Sequence, residues 1–296
     1  MEALARGLLH VEGAPVLDFA APPGEPALVP AGSVAWRVFA NPVTLFIGGV
    51  AAVLLELAEP RVRHGVWDHS SFRTDPLTRL KRTGLAALVT VYGPESQARA
   101  MIAHVTRLHG RVAGVTVSGQ PYRADDPELL DWVQLTASWG FLEAFAAFDR
   151  PVSPEDRDSF YADVAPVAAL YGATAAPCTD AEAAALIDRM RPRLEPSATL
   201  HEFLAIMRRV PALPLAARPL QRPLLKAAVS LLPPGLASQL ALASDWRLTR
   251  LERAIVRTAA RTAGRLDLHA WPSHQARQRL AALPPRHPGE GRDLNG

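Results

Sequence analysis

Apolar residues recur at intervals of three and four along most of this 296-residue chain, and prolines separate the periodic segments. That spacing puts apolar side chains on one face of a helix, whereas strands require alternation at every second residue. Proline is tolerated in the first turn of a helix but not in its interior. The pattern predicts helices near residues 43–58, 76–92, 95–112, 126–148, 154–170, 180–190, 199–209, 213–231 and 247–264. We therefore expect an all-α protein whose only β structure is a short hairpin over residues 115–122.

The two ends of the chain differ from its middle in composition. Residues 1–30 are rich in proline and glycine and are predicted to form an extended arm, and residues 283–296 are predicted to form a flexible tail. Hydrophobic residues make up 49% of the chain and charged residues 21%, which is typical of a chain that buries a full core. We expect residues 31–282 to form one globular multi-helix domain.

The cysteine content and the hydropathy pattern exclude several classes of protein. With Cys178 as its one cysteine, the chain can form no internal disulfide, no cysteine-held iron–sulfur cluster and no two-cysteine haem attachment. The first residues lack the apolar core of a signal peptide. The longest apolar run, residues 43–55, is shorter than a membrane span requires. We expect a cytoplasmic protein.

Arginines are concentrated near the C-terminus on one predicted helix, although the net charge of the whole chain is only +3. They are Arg247, Arg250, Arg253, Arg257, Arg261 and Arg265. These arginines either form a solvated face or bind an anionic partner, so peripheral contact with a membrane surface stays open. No aromatic residues suited to base stacking accompany them, and we expect no nucleic-acid partner.

One histidine lies on the apolar stripe of the predicted helix 95–112. The stripe consists of Ala98, Met101, Ile102, Val105, His109 and Val112. A lone imidazole that faces an apolar space can ligate the iron of a buried haem, and Gly110 and Gly114 would let a flat group approach the backbone. The alternative interpretation of His109 is a core histidine bonded to a backbone carbonyl.

A basic cluster lies one helix earlier in the sequence. Arg79, Thr83, Ala86 and Thr90 share a stripe of the predicted helix 76–92, and Arg82 flanks that stripe. A buried guanidinium needs an anion or strong acceptors, and a haem propionate or a carboxylate substrate would serve. The alternative is a group of ion pairs at the end of the helix, with Asp68 or Asp75 as the partner.

The remaining polar motifs carry weaker signals. Asp126, Pro127 and Glu128 are predicted to start a helix as its cap and first turn. His64 and His69 are predicted to lie in a loop, and their spacing is a weak pattern for metal ligands. The sequence contains no zinc-binding helix motif, no phosphate-binding glycine loop and no nucleophile elbow.

Several of these motifs, taken together, resemble the rubber-oxygenase catalytic domain family, which includes latex-clearing proteins and MpaB-type oxygenases. The similar segments are residues 36–39, 65–76, 79–83, 108–114 and 121–133, and the resemblance covers about residues 30–265. It implies an all-helical, distantly globin-like fold that holds one b-type haem. It also implies cleavage of a carbon–carbon double bond in an apolar, isoprenoid-like substrate with dioxygen.

The resemblance also assigns roles to single residues. His109 matches the proximal ligand of the iron and would be the one metal ligand. Arg79, Arg82 and Thr83 match a basic–basic–threonine cluster that would contact the haem and act in catalysis. Latex-clearing proteins have a lysine at the position of Arg82 that can occupy the distal iron position. Arginine stays protonated and cannot ligate iron, so that position would be open or taken by water, or Arg82 would stabilise the bound dioxygen.

Two further features depend on the resemblance. Rubber-cleaving members use a catalytic base, and Glu56 and Glu59 are the nearest carboxylates by position. Many members have a His-Pro pair where this chain has Glu59-Pro60. We expect a haem b-dependent oxygenase, and rubber, a terpenoid side chain and a fatty acid all fit its apolar substrate. The alternatives are a non-catalytic binder of haem, lipid or terpenoid, and a scaffold protein that uses the arginine-rich helix.

Overall fold

The computed structural model of the chain describes residues 17–266 and 268–282. Over these residues it contains thirteen α-helices and one two-stranded hairpin, which confirms the all-α prediction. The first helices are α1 (Val34–Val38), α2 (Pro42–Ala58), α3 (Pro60–Trp67), α4 (Pro76–Tyr92), α5 (Glu95–His109), α6 (Pro127–Phe148) and α7 (Pro154–Leu170). The later helices are α8 (Asp180–Met190), α9 (Ala198–Arg209), α10 (Gln221–Leu231), α11 (Leu236–Gln239), α12 (Arg250–Arg265) and α13 (Pro272–Ala281).

The hairpin lies between α5 and α6. It pairs β1 (Ala113–Val115) with β2 (Pro121–Arg123) in antiparallel register, with Gly114 opposite Tyr122. Short 3₁₀ helices cover Arg191–Arg193 and Leu215–Leu220. The segment that we predicted as one helix over 213–231 is therefore α-helical only from residue 221, because Pro214 and Pro219 lack the N–H groups that an α-helix needs.

The centre of the protein is the crossing of α2 and α6. A Cβ atom added at Gly48 would lie 2.6 Å from the carbonyl oxygen of Gly140, and one added at Gly140 would lie 2.5 Å from that of Gly48. The two backbones therefore touch, and no other residue type fits at either position without movement. Helices α10 and α12 also pack against α2, so α2 is a core helix.

Polar caps fix where the site-bearing helices start, as the sequence predicts. Asp75 accepts a hydrogen bond from the Thr78 backbone N–H (3.3 Å) before α4, and Asp126 accepts one from the Glu128 N–H (2.9 Å) before α6. Helix α3 was not predicted, and we expected His64 in a loop. It forms because Glu59 caps it through the Val62 N–H (2.8 Å) and Pro60 occupies its first position.

Helices α2 and α3 meet at a bend of 111°. Among the described residues no single helix has both the length and the apolarity of a membrane span, and this bent pair meets the two criteria only when its members are joined.

A buried arginine joins the two ends of the described chain. Arg279 of α13 is fully buried, and its guanidinium donates to the carbonyl oxygens of Phe19 (2.6 Å), Glu25 (2.8 Å) and Tyr92 (2.9 Å). The described part of the predicted arm has no helix or strand, and Phe19 in it is part of the core. Residues 1–16 of that arm and the predicted tail, residues 283–296, lie outside the described residues.

Candidate functional site

Four helices bring four polar side chains into one neighbourhood. Glu56 comes from α2, Arg79 from α4, His109 from α5 and Thr136 from α6. The Thr136 hydroxyl donates to Glu56 Oε1 (3.4 Å) and lies 2.9 Å from the Val133 carbonyl oxygen. Arg79 interacts electrostatically with both Glu56 and His109. The structure thus brings together the predicted Arg79 and His109, and it adds Glu56 and Thr136.

His109 is the last residue of α5, and its ring is half-buried. Its Nδ1 atom is buried and has no hydrogen-bond partner, so the interpretation of His109 as a core histidine bonded to a backbone carbonyl at this atom is wrong. Burial and then the charge of Arg79 lower the pKa of His109, while Asp125 acts in the opposite direction. The imidazole is therefore neutral at neutral pH, which is the form that binds metals.

Arg79 is half-buried, and no carboxylate of the described residues lies within ion-pair distance of it. Its guanidinium donates instead to the hydroxyl of Thr83, one turn further along α4. Burial lowers the pKa of Arg79, and Glu56 partly offsets that effect. The predicted ion pairs are absent, because Asp68 pairs with His64 (2.8 Å) and Asp75 caps α4. A half-buried cation with no carboxylate at ion-pair distance is suited to binding an anion.

Arg82 and Thr83 are exposed on the outer part of the same helix. Arg82 is close enough to Arg79 to lower its pKa, so the cluster holds two neighbouring positive charges. Beside them, Gly84 faces open space, because no atom lies within 4 Å of the position that its Cβ would take. The stripe of α4 that carries Arg79 and Thr83 is itself only partly covered by protein, since Thr83 is exposed and Ala86 and Thr90 are half-buried.

The apolar stripe of α5 is also incompletely covered. Ala98 and Ile102 are buried, whereas Met101 and Val105 are half-buried. Val112 is half-buried too, but it was wrongly predicted to lie on this helix, because α5 ends at His109. Val105 lies about one turn before His109 on the same face of the helix, and Met101 lies about two turns before it. This leaves apolar surface next to the imidazole that a bound apolar group would remove from water.

The two candidate carboxylates have different roles. Burial raises the pKa of Glu56 to about 7, although Arg79 and the Thr136 hydroxyl act to lower it. Glu56 can therefore gain or lose a proton near neutral pH. Glu59 is fully buried, but it caps α3 and forms an ion pair with Arg61 (2.8 Å). Glu59 is thus a structural anchor, and Glu56 is the carboxylate of the site.

Some predicted features have structural roles instead. A Cβ at Gly114 would lie 2.5 Å from the Tyr122 hydroxyl oxygen, so this glycine makes room for the tyrosine and not for a flat ligand. His69 Nε2 lies 3.0 Å from the same hydroxyl. Among the described residues, no three His, Cys, Asp or Glu side chains lie close enough together to hold a metal ion. His64 and His69 are therefore not part of such a group.

A comparison with protein families gives a match that covers this region. The family described as "ER-bound oxygenase mpaB/B'/Rubber oxygenase, catalytic domain" matches residues 36–265, which is most of the chain. The chain belongs to this family of MpaB and rubber oxygenases. The predicted resemblance is thereby confirmed, and an oxygenase is the class of enzyme that membership supports. Neither a curated protein nor a solved structure matches the chain.

All four side chains of the site lie inside the matched catalytic domain. Sequence reasoning identified Arg79 and His109, considered Glu56 only by its position, and missed Thr136. The signal at Glu56 is a carboxylate inside the otherwise apolar segment 43–58. Nothing in the sequence around Thr136 indicates that it faces Glu56, because the contact joins residues 80 positions apart.

Proposed function

We propose that this MpaB-family chain is a haem b-dependent oxygenase that cleaves a carbon–carbon double bond in an apolar, isoprenoid-like substrate. The observation that carries the proposal is the neutral imidazole of His109, whose buried Nδ1 has no hydrogen-bond partner among the described residues, near the charge of Arg79, which no described carboxylate joins in an ion pair. When bound, haem b would supply the activation of dioxygen. The residues fit such a group, since it needs one neutral nitrogen ligand and positive charge for its carboxylates.

His109 would hold the iron, and the charge of Arg79 helps to keep the imidazole in the neutral form that a ligand needs. Arg79 and Arg82 would bind carboxylate groups of the cofactor or stabilise negative charge next to the substrate. Thr83 orients the guanidinium of Arg79 through their hydrogen bond. In these assignments, the predicted cluster Arg79, Arg82 and Thr83 has one common role, which is to hold positive charge next to the cofactor or the substrate.

Glu56 would act as the general base of the reaction. Its pKa of about 7 lets it take a proton from the substrate near neutral pH, and the Thr136 hydroxyl holds one of its oxygens in place. The apolar residues Met101, Val105 and Val112 would contact the substrate and exclude water. This apolar surface favours a hydrocarbon substrate over a polar one.

Oxygen consumption tests the proposal directly. Protein produced with a haem precursor should consume dioxygen in the presence of an alkene from an isoprenoid panel and release carbonyl products. His109→Ala should abolish that activity, whereas His104→Ala, at an exposed position of the same helix, should keep it. Haem-loaded protein that consumes no dioxygen with any alkene would overturn the proposal in favour of the non-catalytic binder.

A further inference from the structure

A cavity lies at the junction of α1, α6, α12 and α13, and its lining includes none of the four side chains of the candidate site. Its volume is about 530 Å³, within the range of roughly 300–1,000 Å³ that small-molecule sites occupy. Apolar side chains form much of its wall, namely Trp36, Ala40, Phe145, Leu280 and Ala281.

This cavity is separate from the candidate active site. It borders Trp36, whose carbonyl accepts a hydrogen bond from Tyr92 at the end of α4 (2.6 Å). Tyr92 follows Arg79 by thirteen residues of one helix, which is about 20 Å at the rise of an α-helix. On α6, Phe145 of the cavity follows Thr136 by nine residues, or about 14 Å.

Three arginines line the cavity, and all three are exposed to solvent. They are Arg37, Arg150 and Arg277. Arg37 forms an ion pair with Asp156 (2.8 Å), which is not part of the lining. No carboxylate of the described residues lies within ion-pair distance of Arg277. The rim of the cavity therefore has positive charge that the described protein does not neutralise.

The one carboxylate in the lining is Asp149, and its oxygens already have partners. Oδ2 accepts a hydrogen bond from Asn41 (3.1 Å), and Oδ1 lies 3.8 Å from Nε of Arg150. The Arg150 guanidinium also lies over the ring of Phe145, 5.8 Å from its centroid, so the charged rim of the cavity contacts its apolar wall here. A ligand would meet positive charge at the rim and an apolar surface inside.

We propose that this cavity is a second ligand site, which binds a monocarboxylate with an apolar body, such as a medium-chain fatty acid. The carboxylate binds Arg277 and Arg150, and the apolar body packs against Trp36 and Phe145. Arg277, which has no carboxylate partner among the described residues, and Arg150, whose Nε lies 3.8 Å from Asp149, favour an anion, and the apolar wall selects an amphipathic one over a small inorganic ion. The proposal does not depend on haem or on the oxygenase reaction.

Calorimetric titration of the full chain with decanoate tests this site. We expect saturable binding of one decanoate, weakened about tenfold by Arg277→Ala, since the variant loses a charge-assisted contact. Arg208→Ala removes an equally exposed arginine of α9 outside the cavity and should change the affinity less than twofold. Ala281→Trp should also weaken binding, because the indole would fill the cavity. Decanol lacks the carboxylate and acetate lacks the apolar chain, so each should bind at least about tenfold more weakly than decanoate.

Three results would overturn the proposal: equal effects of Arg277→Ala and Arg208→Ala, decanol binding as tightly as decanoate, or no binding of decanoate at all. His109→Ala separates this site from the oxygenase proposal. Decanoate binding that survives this variant supports a second site whatever the outcome for haem, and binding lost with His109 would place the ligand at the other site. Circular dichroism of each variant checks that it is folded.

Discussion

At the scale of single residues, the site depends on how burial sets the protonation of two groups. Burial keeps His109 neutral and Glu56 protonated up to about pH 7, and Arg79 acts on both groups with its charge. The effect of Arg79 favours the neutral imidazole but opposes the protonated carboxyl. The site therefore holds an available nitrogen ligand and a proton acceptor at the same pH.

The free energy of unfolding should reveal the raised pKa of Glu56. The pKa of the folded state lies above the ordinary value of 4.5, so the unfolded chain releases this proton first and stability is lost as the pH rises from about 4.5 to about 7. Glu56→Gln removes that loss. We expect it to raise the free energy of unfolding by about 2 kcal/mol at about pH 8.5 and to leave it nearly unchanged at about pH 4.

Denaturant unfolding of both proteins at the two pH values measures this difference. Glu59→Ala serves as the control, since loss of the α3 cap should destabilise the protein by about 1 kcal/mol or more at either pH. A Glu56→Gln variant that is less stable than the parent at about pH 8.5 would show that Glu56 is charged and well paired there.

The same residue should control the rate of oxygen consumption. A base must be unprotonated to act, so kcat/KM should rise with pH through about 7, the pKa of Glu56. Glu56→Gln should lower kcat by about a hundredfold or more while haem binding is retained. Turnover that is independent of pH between about 6 and 8 would exclude this role for Glu56.

At the scale of helices, local signals in the sequence predicted more than contacts between helices. Asp75 and Asp126 mark helix starts because a capping side chain and the proline after it act within one turn. The crossing of Gly48 and Gly140 left no such signal, since it depends on which helices meet. His109 could be predicted because the spacing of apolar residues along a single helix shows which face is buried. The Glu56–Thr136 contact could not be predicted in this way, because it joins two different helices.

The arginine-rich helix α12 shows the same limit of sequence reasoning. Arg257 and Arg261 donate to the carbonyl oxygens of Ala147 and Asp149 (both 3.1 Å), and Arg253 lies over the ring of Phe148. These arginines bind the C-terminal end of α6, where the helix dipole favours positive charge. Contact with an anionic membrane surface would therefore depend on the exposed Arg247, Arg250 and Arg265.

The contact of α2 with α6 predicts a large effect from a single methyl group. Gly48→Ala would place its Cβ within 2.6 Å of a backbone oxygen, so the helices must move apart, at a cost of about 1–3 kcal/mol or more. Gly84→Ala is the matched control, because it adds the same methyl group to a helix at an open position. It should stabilise the protein by about 0.5–1 kcal/mol. Thermal melting compares the two, and equal melting temperatures would contradict the close crossing.

At the scale of the whole molecule, Arg279 ties the beginning of the described chain to its last helix. Its guanidinium satisfies three backbone carbonyl oxygens, two in the segment before α1 and one at the end of α4. The composition predicted a flexible tail from residue 283 onward, and nothing in the sequence indicated that Arg279, just before it, is fully buried. Sequence reasoning could not identify this role, because the partners lie up to 260 residues away.

Removal of this arginine should destabilise the whole protein. Arg279→Ala leaves two buried carbonyl oxygens and one partly buried carbonyl oxygen without their donors, and we expect a loss of about 3 kcal/mol or more in the free energy of unfolding. Arg277→Ala, two residues earlier and exposed, should cost less than about 0.5 kcal/mol. Denaturant unfolding distinguishes the two, and similar losses would mean that the buried network contributes little.

The proposed function depends on His109 as the ligand of a haem iron, and a haem titration followed by absorption spectroscopy tests this role most directly. The parent protein and His104→Ala should take up one haem and give the same Soret band, whereas His109→Ala should lose the band or shift it. A parent protein that stays colourless, or a His109→Ala variant whose spectrum and affinity equal those of the parent, would contradict the claim.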